Sequence, residues 1–114
     1  MLSRQYRLSG SGNYLRVQEK GKVFQSQDFG IAVFDRQDDG PTRVGFVVST
    51  KIAKGSADRG LAKRKMSEGV RTSMVDVKPG FDVVFLAKQS IVRIPTAEII
   101  REVKLGLKNS GLIK

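Results

Sequence analysis

The chain has 114 residues, and its 21 Lys and Arg outnumber its 11 Asp and Glu to give a formal net charge of +10. That length is the size of one domain. With no His and no Cys, zinc and iron–sulfur centres, disulfides and histidine-activated nucleophiles are excluded.

Residues 1–9 read as extended or flexible. SGSGN at 9–13 is a turn cluster, with Asn13 as candidate helix cap, and YLRVQEK forms one or two helical turns closed by Gly21. KVFQSQ is a short strand. FGIAVFDRQ at 29–37 is a stronger one, with Phe29, Ile31 and Val33 on one face. RVGFVVST at 43–50 follows the DDGP turn, and the two strands are expected to pair as an antiparallel hairpin. Residues 56–75 read as a helix capped by Ser56, with Ala62, Met66, Val70 and Ser73 on the inner face. Lys63, Arg64, Ser67 and Arg71 lie beside them, and Leu61 lies outside. Gly60 and Gly69 each cost such a helix about 1 kcal/mol, so it needs tertiary support. KPG at 78–80 turns into FDVVFLAK, nearly continuously apolar as a buried strand should be. A last helix over 96–109, capped by Thr96, carries the stripe Ile99, Ile100, Val103 and Leu107.

The order αβββαβα predicts a single α+β domain, a two-layer sandwich of helices on a mostly antiparallel sheet. The strands flanking the long helix are candidates for a parallel βαβ pair. No apolar run reaches the ~18 residues of a membrane span, and the first residues lack a signal-peptide core. The expectation is a cytoplasmic protein with no membrane segment and no small-molecule substrate.

The charge is uneven. Residues 51–71 hold seven cations against Asp58 and Glu68; residues 1–22 hold five against Glu19; the loop at 35–42 is acidic. A helix whose cations lack helical partners suits phosphate contacts, and Arg64 and Arg71 can donate bidentately. Tyr14 beside Arg16 can stack an unpaired base and hold its phosphate, or Tyr14 can pack on the sheet. Asp82 reads as a turn acceptor or as a magnesium ligand, with no second carboxylate at a spacing that predicts a pair. No catalytic constellation is legible, and a nucleic-acid partner fits the charge.

Several segments together resemble one family, the protein subunit of bacterial ribonuclease P. RQYRLSGSGNYLRVQEKGK is similar to its opening, RVGFVVSTKIAK to its central strand, DRGLAKRKMSEGVR to its basic signature helix, and KPGFDVVFLAK to the strand that follows. The resemblance implies a left-handed βαβ crossover, an exception to the usual hand. It also implies an RNA subunit that carries the catalytic Mg2+, and a protein that assists in removing the 5′ leader of precursor tRNA. It places Lys51, Lys54, Arg59, Lys63, Arg64 and Arg71 on the ribonuclease P RNA. Tyr14, Arg16, Gln18, Phe29 and Ala32 fall in a leader-binding cleft. Gly60, Leu61 and Ser67 depart from the signature, and Gln18 and Ala32 stand where aromatics are common, so weaker grip on both RNAs is expected. The alternatives are a non-catalytic RNA-binding paralogue and a ribosome-associated structural RNA-binding protein on the same fold.

Overall fold

A computed structural model describes residues 2–51 and 55–114; Lys54, one of the expected RNA contacts, lies outside the described residues. The elements are α1 (Ser11–Lys20), β1 (Lys22–Gln25), β2 (Phe29–Asp35), β3 (Arg43–Val47), α2 (Ser56–Ser73), β4 (Phe81–Ala87) and α3 (Thr96–Asn109). Short 3-10 turns cover Arg4–Tyr6, Met74–Asp76 and Gln89–Arg93.

Among the described residues four strands form one sheet in the order β1-β2-β4-β3. β1 with β2 and β2 with β4 are antiparallel, whereas β3 runs parallel to β4. The expected βαβ pair is therefore present, with α2 as its crossover. The expected β2–β3 hairpin is not: β4 lies between those two strands. The composition explains this, since Val83, Val84 and Phe85 are all fully buried, and only a central strand is covered on both faces.

The alternation along β2 sorts the core into two layers. Phe29, Ile31, Val83 and Phe85 meet α2 and α3 through Ala62, Met66, Val70, Ile99, Val103 and Leu107. Ala32 and Val84 on the other face meet Val17 of α1 and Leu8. Each large apolar side chain so enclosed contributes about 1.5–3 kcal/mol. The inner face read for α2 is the buried one, while Ile100 of the α3 stripe is only half-buried. Gly69 is where α2 and α3 touch: a Cβ there would lie 2.7 Å from Cβ of Val103. The helix-weakening residue is thus the one that lets the helices approach.

Three caps differ from expectation. α1 begins at Ser11 with Gly10 as cap, and Asn13 sits inside the helix, donating Nδ2 to Ser9 O at 2.8 Å. Gly55 and Pro95 occupy the cap positions of α2 and α3, with Ser56 and Thr96 one residue inside and no side-chain cap bond. Of the first nine residues, Leu2 and Leu8 are buried, and Leu8 N–H donates to Val44 O at 3.0 Å.

Lys65 departs most from the reading of α2 as a cationic surface. It is 6% exposed, and its Nζ donates to Ile91 O, Val92 O and Ile94 O at 3.2, 3.3 and 2.7 Å. One ammonium thus ties the 89–93 turn to α2. Lys65→Met keeps the stem but leaves these carbonyls unmet, so a loss of about 2 kcal/mol is expected in urea unfolding.

Candidate nucleic-acid interface

Of the cations that the resemblance places on RNA, Arg59, Lys63, Arg64 and Arg71 lie on α2 and Lys51 precedes it. Lys51, Lys63, Arg64 and Arg71 are exposed and Arg59 is half-buried. Arg71 holds Glu68 at 2.9 Å. That hydrogen bond and the opposite charge keep the Glu68 carboxyl below its usual range and raise the Arg71 guanidinium. Ser67, placed on the same face by sequence, is buried, and its Oγ donates to Arg64 O at 3.1 Å. The ridge is therefore narrower than a helical wheel predicts, with Leu61 beside it 38% exposed.

The opposite layer is organised as rows across the strands. Gly45, Val84, Ala32 and Val23 form the middle row, and α1 lies over it. Val17 packs on Ala32 and Val84, and the Tyr14 ring occupies the space that a Cβ on Gly45 would fill. Helical spacing puts Tyr14 and Gln18 about 40° apart on one flank of α1 and Arg16 on the other. Beside the Tyr14 flank runs the row Val47, Leu86, Gly30 and Gln25. Val47 and Leu86 are half-buried and Gln25 is exposed. This row is the floor of a trough whose wall is Tyr14 and Gln18.

The five expected cleft residues therefore separate. Tyr14, half-buried, and Gln18, exposed, line the trough. Of the two readings of Tyr14, the structure shows the packing one: its ring lies against the sheet and its hydroxyl donates to Leu8 O at 3.3 Å. Ala32 is fully buried beneath α1. Phe29 belongs to the other layer, its ring centroid 5.4 Å from that of Phe85, because odd positions of β2 face α2 and α3. Arg16 points away from Tyr14 and reaches Asp82.

That contact reveals a centre that sequence reasoning missed. Asp82 is fully buried and accepts from three guanidinium groups: Arg16 Nη2 at 2.8 Å, Arg36 Nη1 at 2.6 Å, and Arg43 through Nε at 2.9 Å and Nη2 at 2.8 Å. It is thus neither a turn acceptor nor a free metal ligand. Burial pushes the carboxyl up, but the bonds from Arg43, Arg36 and Arg16 outweigh it and hold the group below the usual carboxylate range. Arg36 also grips Asp38, which raises its guanidinium, and Arg16 covers the Phe34 ring at 4.8 Å. The one local hint is that Arg43 and Asp82 are the first ladder pair of the parallel strands.

A second acidic pair links the β1–β2 turn to α3. Glu102 Oε1 accepts from Ser26 Oγ at 2.6 Å and from Asp28 N–H at 2.7 Å, while Asp28 Oδ1 accepts from Ser90 Oγ at 2.6 Å. Burial, then the Asp28 carboxyl, push Glu102 above its ordinary value. A raised acid binds more protons folded than unfolded, so stability falls as pH rises from the ordinary glutamate range through the raised value. Glu102→Gln removes that dependence and keeps an acceptor. Its urea midpoint is expected to gain on the parent between pH 4.5 and 7, by less than about 1 kcal/mol because the site is partly open to solvent.

Among the described residues no three carboxylates gather at one point. The two acidic centres are also occupied, Asp82 by guanidinium groups and Asp28–Glu102 by hydroxyl and N–H donors. A hard cation needs several free oxygens, so these residues do not fit a metal site.

A family model described as Ribonuclease P matches residues 2–111. The ribonuclease P protein component of Symbiobacterium thermophilum is 28% identical over 113 residues, covering 99% of this chain and 97% of that protein. That of Thermoanaerobacter pseudethanolicus is 33% identical over 86 residues, covering 75% and 72%. The fold is similar to that of the Staphylococcus aureus RNase P protein, with a TM-score of 0.86 at 20% identity over 96% of this chain and 98% of that one. The Thermotoga maritima RNase P protein gives 0.79 at 24% identity over 90% and 96%. The chain therefore belongs to the ribonuclease P protein family, the RNA-binding protein components of an endoribonuclease holoenzyme of tRNA processing.

Proposed function

We propose that this chain holds the RNA subunit of its holoenzyme on the outer face of α2 and the 5′ leader of precursor tRNA in the trough beside α1. The observation that carries the reading is the exposure of Lys63, Arg64 and Arg71 on α2 and of Lys51 before it, with Glu68, among the described residues, the acid ion-paired to one of them. Phosphates bind such groups without sequence preference. Arg59 and Lys54 extend the same segment. In the trough the wall of Tyr14 and Gln18 over an apolar floor suits an unpaired strand, with one aromatic ring rather than several to stack on. Arg16, Phe29 and Ala32 support this surface from beneath or behind and do not touch the leader.

Metal dependence is general for such a nuclease. Since the described side chains do not fit a cation site, the catalytic Mg2+ belongs to the RNA partner in this reading, and the protein supplies affinity and orientation. The holoenzyme works in the cytoplasm, and no described helix is long and apolar enough to cross a membrane.

Reconstitution tests the proposal. Mixed with its cognate RNA subunit at low magnesium, the chain is expected to accelerate leader removal. Tyr14→Ala should weaken binding of leader-bearing precursor while leaving mature tRNA unaffected. No acceleration would favour the paralogue, and tighter binding to ribosomal RNA the ribosome-associated alternative.

A further inference from the structure

Two neighbouring hollows lie at the C-terminal end of α3, with linings that share no residue with either surface assigned above. The first, about 460 Å³, is lined by Lys20, Lys22, Phe24, Val33, Phe34, Asp35, Phe81 and Ser110. Its apolar walls, Phe24, Val33, Phe34 and Phe81, are all half-buried rather than sealed in the core. The reason is topological: β1 begins at Lys22 opposite Val33, so Phe34 and Asp35 have no β1 neighbour and the sheet opens at that corner. The second hollow, about 400 Å³, is lined by Lys78, Lys104, Lys108 and Lys114 with Asp76 and Ile113. Ser110 borders one hollow and Lys108 the other, so the last turn of α3 and the residue after it separate them.

Six lysines thus face two carboxylates, Asp35 and Asp76. None of the six makes an ion pair with a described residue. Neutralising helix carbonyl ends accounts for Lys20 and Lys108, which lie in the last turns of α1 and α3. It does not account for Lys22, Lys78, Lys104 or Lys114. The arrangement is also remote from Lys63 and Arg64. α2 and α3 run side by side in the same direction, Lys65 meeting the turn before α3 and Gly69 meeting Val103, so those cations lie toward the other end, and of the ridge only Arg71, in the last turn of α2, is on this side.

We propose that this end of the molecule is a second RNA-binding surface, in which an unpaired base enters the hollow of Phe24, Val33 and Phe81 and the flanking phosphates lie on the lysines. Unpaired lysines alone would take any polyanion. The aromatic hollow between them is what a flat base uses and a polycarboxylate does not. The site would hold RNA that has left the α2 ridge or the trough, and so extend the footprint of the chain around its edge.

The test uses the full chain and a fluorescent single-stranded oligouridylate, titrated over a range of salt. Replacing Lys20, Lys22, Lys78 and Lys108 together by Ala should reduce the slope of log affinity against log salt by about 0.7 for each phosphate no longer neutralised, two to three units in all. Phe24→Leu should leave the slope alone and lower affinity roughly fivefold or more. In the parent protein, amide resonances of Lys22, Phe24 and Ser110 should shift on adding the oligonucleotide, a readout independent of any variant's folding. An unchanged slope in the lysine variant, unmoved resonances, or equal competition by polyglutamate of the same charge would each overturn the proposal. Both variants retain the α2 cations, Tyr14 and Gln18. Failure here would leave normal acceleration of leader removal in the reconstituted holoenzyme, whereas failure of the earlier reading abolishes that acceleration.

Discussion

Asp82→Asn is expected to cost about 3 kcal/mol or more of folding stability, the largest effect of any conservative change in this chain. The carboxylate is fully buried and is the meeting point of Arg16, Arg36 and Arg43. Asn keeps the shape but withdraws the charge, leaving three guanidinium groups to repel one another at a site built to neutralise them. Removing any one arginine leaves two partners and should cost less. The effect has a pH signature. The folded carboxyl lies below its ordinary value, so its contribution is fully present above the ordinary aspartate range and is lost as pH falls through the lowered folded value. Urea unfolding should show a steep acid limb in the parent and a flatter one in the variant. Equal midpoints for the two proteins at neutral pH would show that the arginines are satisfied without the charge.

The second large effect concerns RNA. Replacing Lys63, Arg64 and Arg71 together by Ala should weaken binding of the RNA subunit and lower the salt slope by about 0.9 for each phosphate that loses its cation, close to three units if all three contribute. All three side chains are exposed, so circular dichroism melts should stay near those of the parent. Arg71 is the member to separate from the others. It is already held by Glu68, and a phosphate must compete with that carboxylate. Glu68→Gln is therefore expected to tighten RNA binding modestly, and Arg71→Ala alone should have the smallest effect of the three single changes. Collapse of the fold in the triple variant would make these residues structural.

Local pattern carries much of the architecture. The apolar spacing from Ile99 to Leu107 places α3, and the run from Phe81 to Leu86, apolar but for Asp82, marks a strand buried on both faces. Period-two alternation puts Phe29, Ile31 and Val33 on one side of β2. It does not say which strands are neighbours, because alternation fixes faces and not order, and the expected β2–β3 hairpin fails for that reason. The Arg16, Arg36 and Arg43 bonds to Asp82 span 66, 46 and 39 residues. Ion pairs so distant leave no trace in helical or strand spacing, so Arg16, counted toward the leader cleft, is engaged with Arg36 and Arg43 in holding the fold. Lys65 is a similar case: at its helical position nothing but the packed turn at 89–93 distinguishes it from Lys63. Phe29 falls in the cleft by family position alone, and the parity of β2 sends it to the other layer.

The central place of β4 has a consequence for synthesis. Both β2 and β3 use β4 as a ladder neighbour, yet it is the last strand in the chain. While the ribosome has delivered only the residues before Phe81, the β1–β2 ribbon stands alone and β3 has only the single bridge between Arg7 and Val44. A cooperative sheet must wait for the closing piece, with the long loop closures that slow such topologies. Throughout that interval the polypeptide is a loose polycation emerging amid cellular RNA, and early electrostatic capture by its own partner would shield the waiting strand edges from association with other chains.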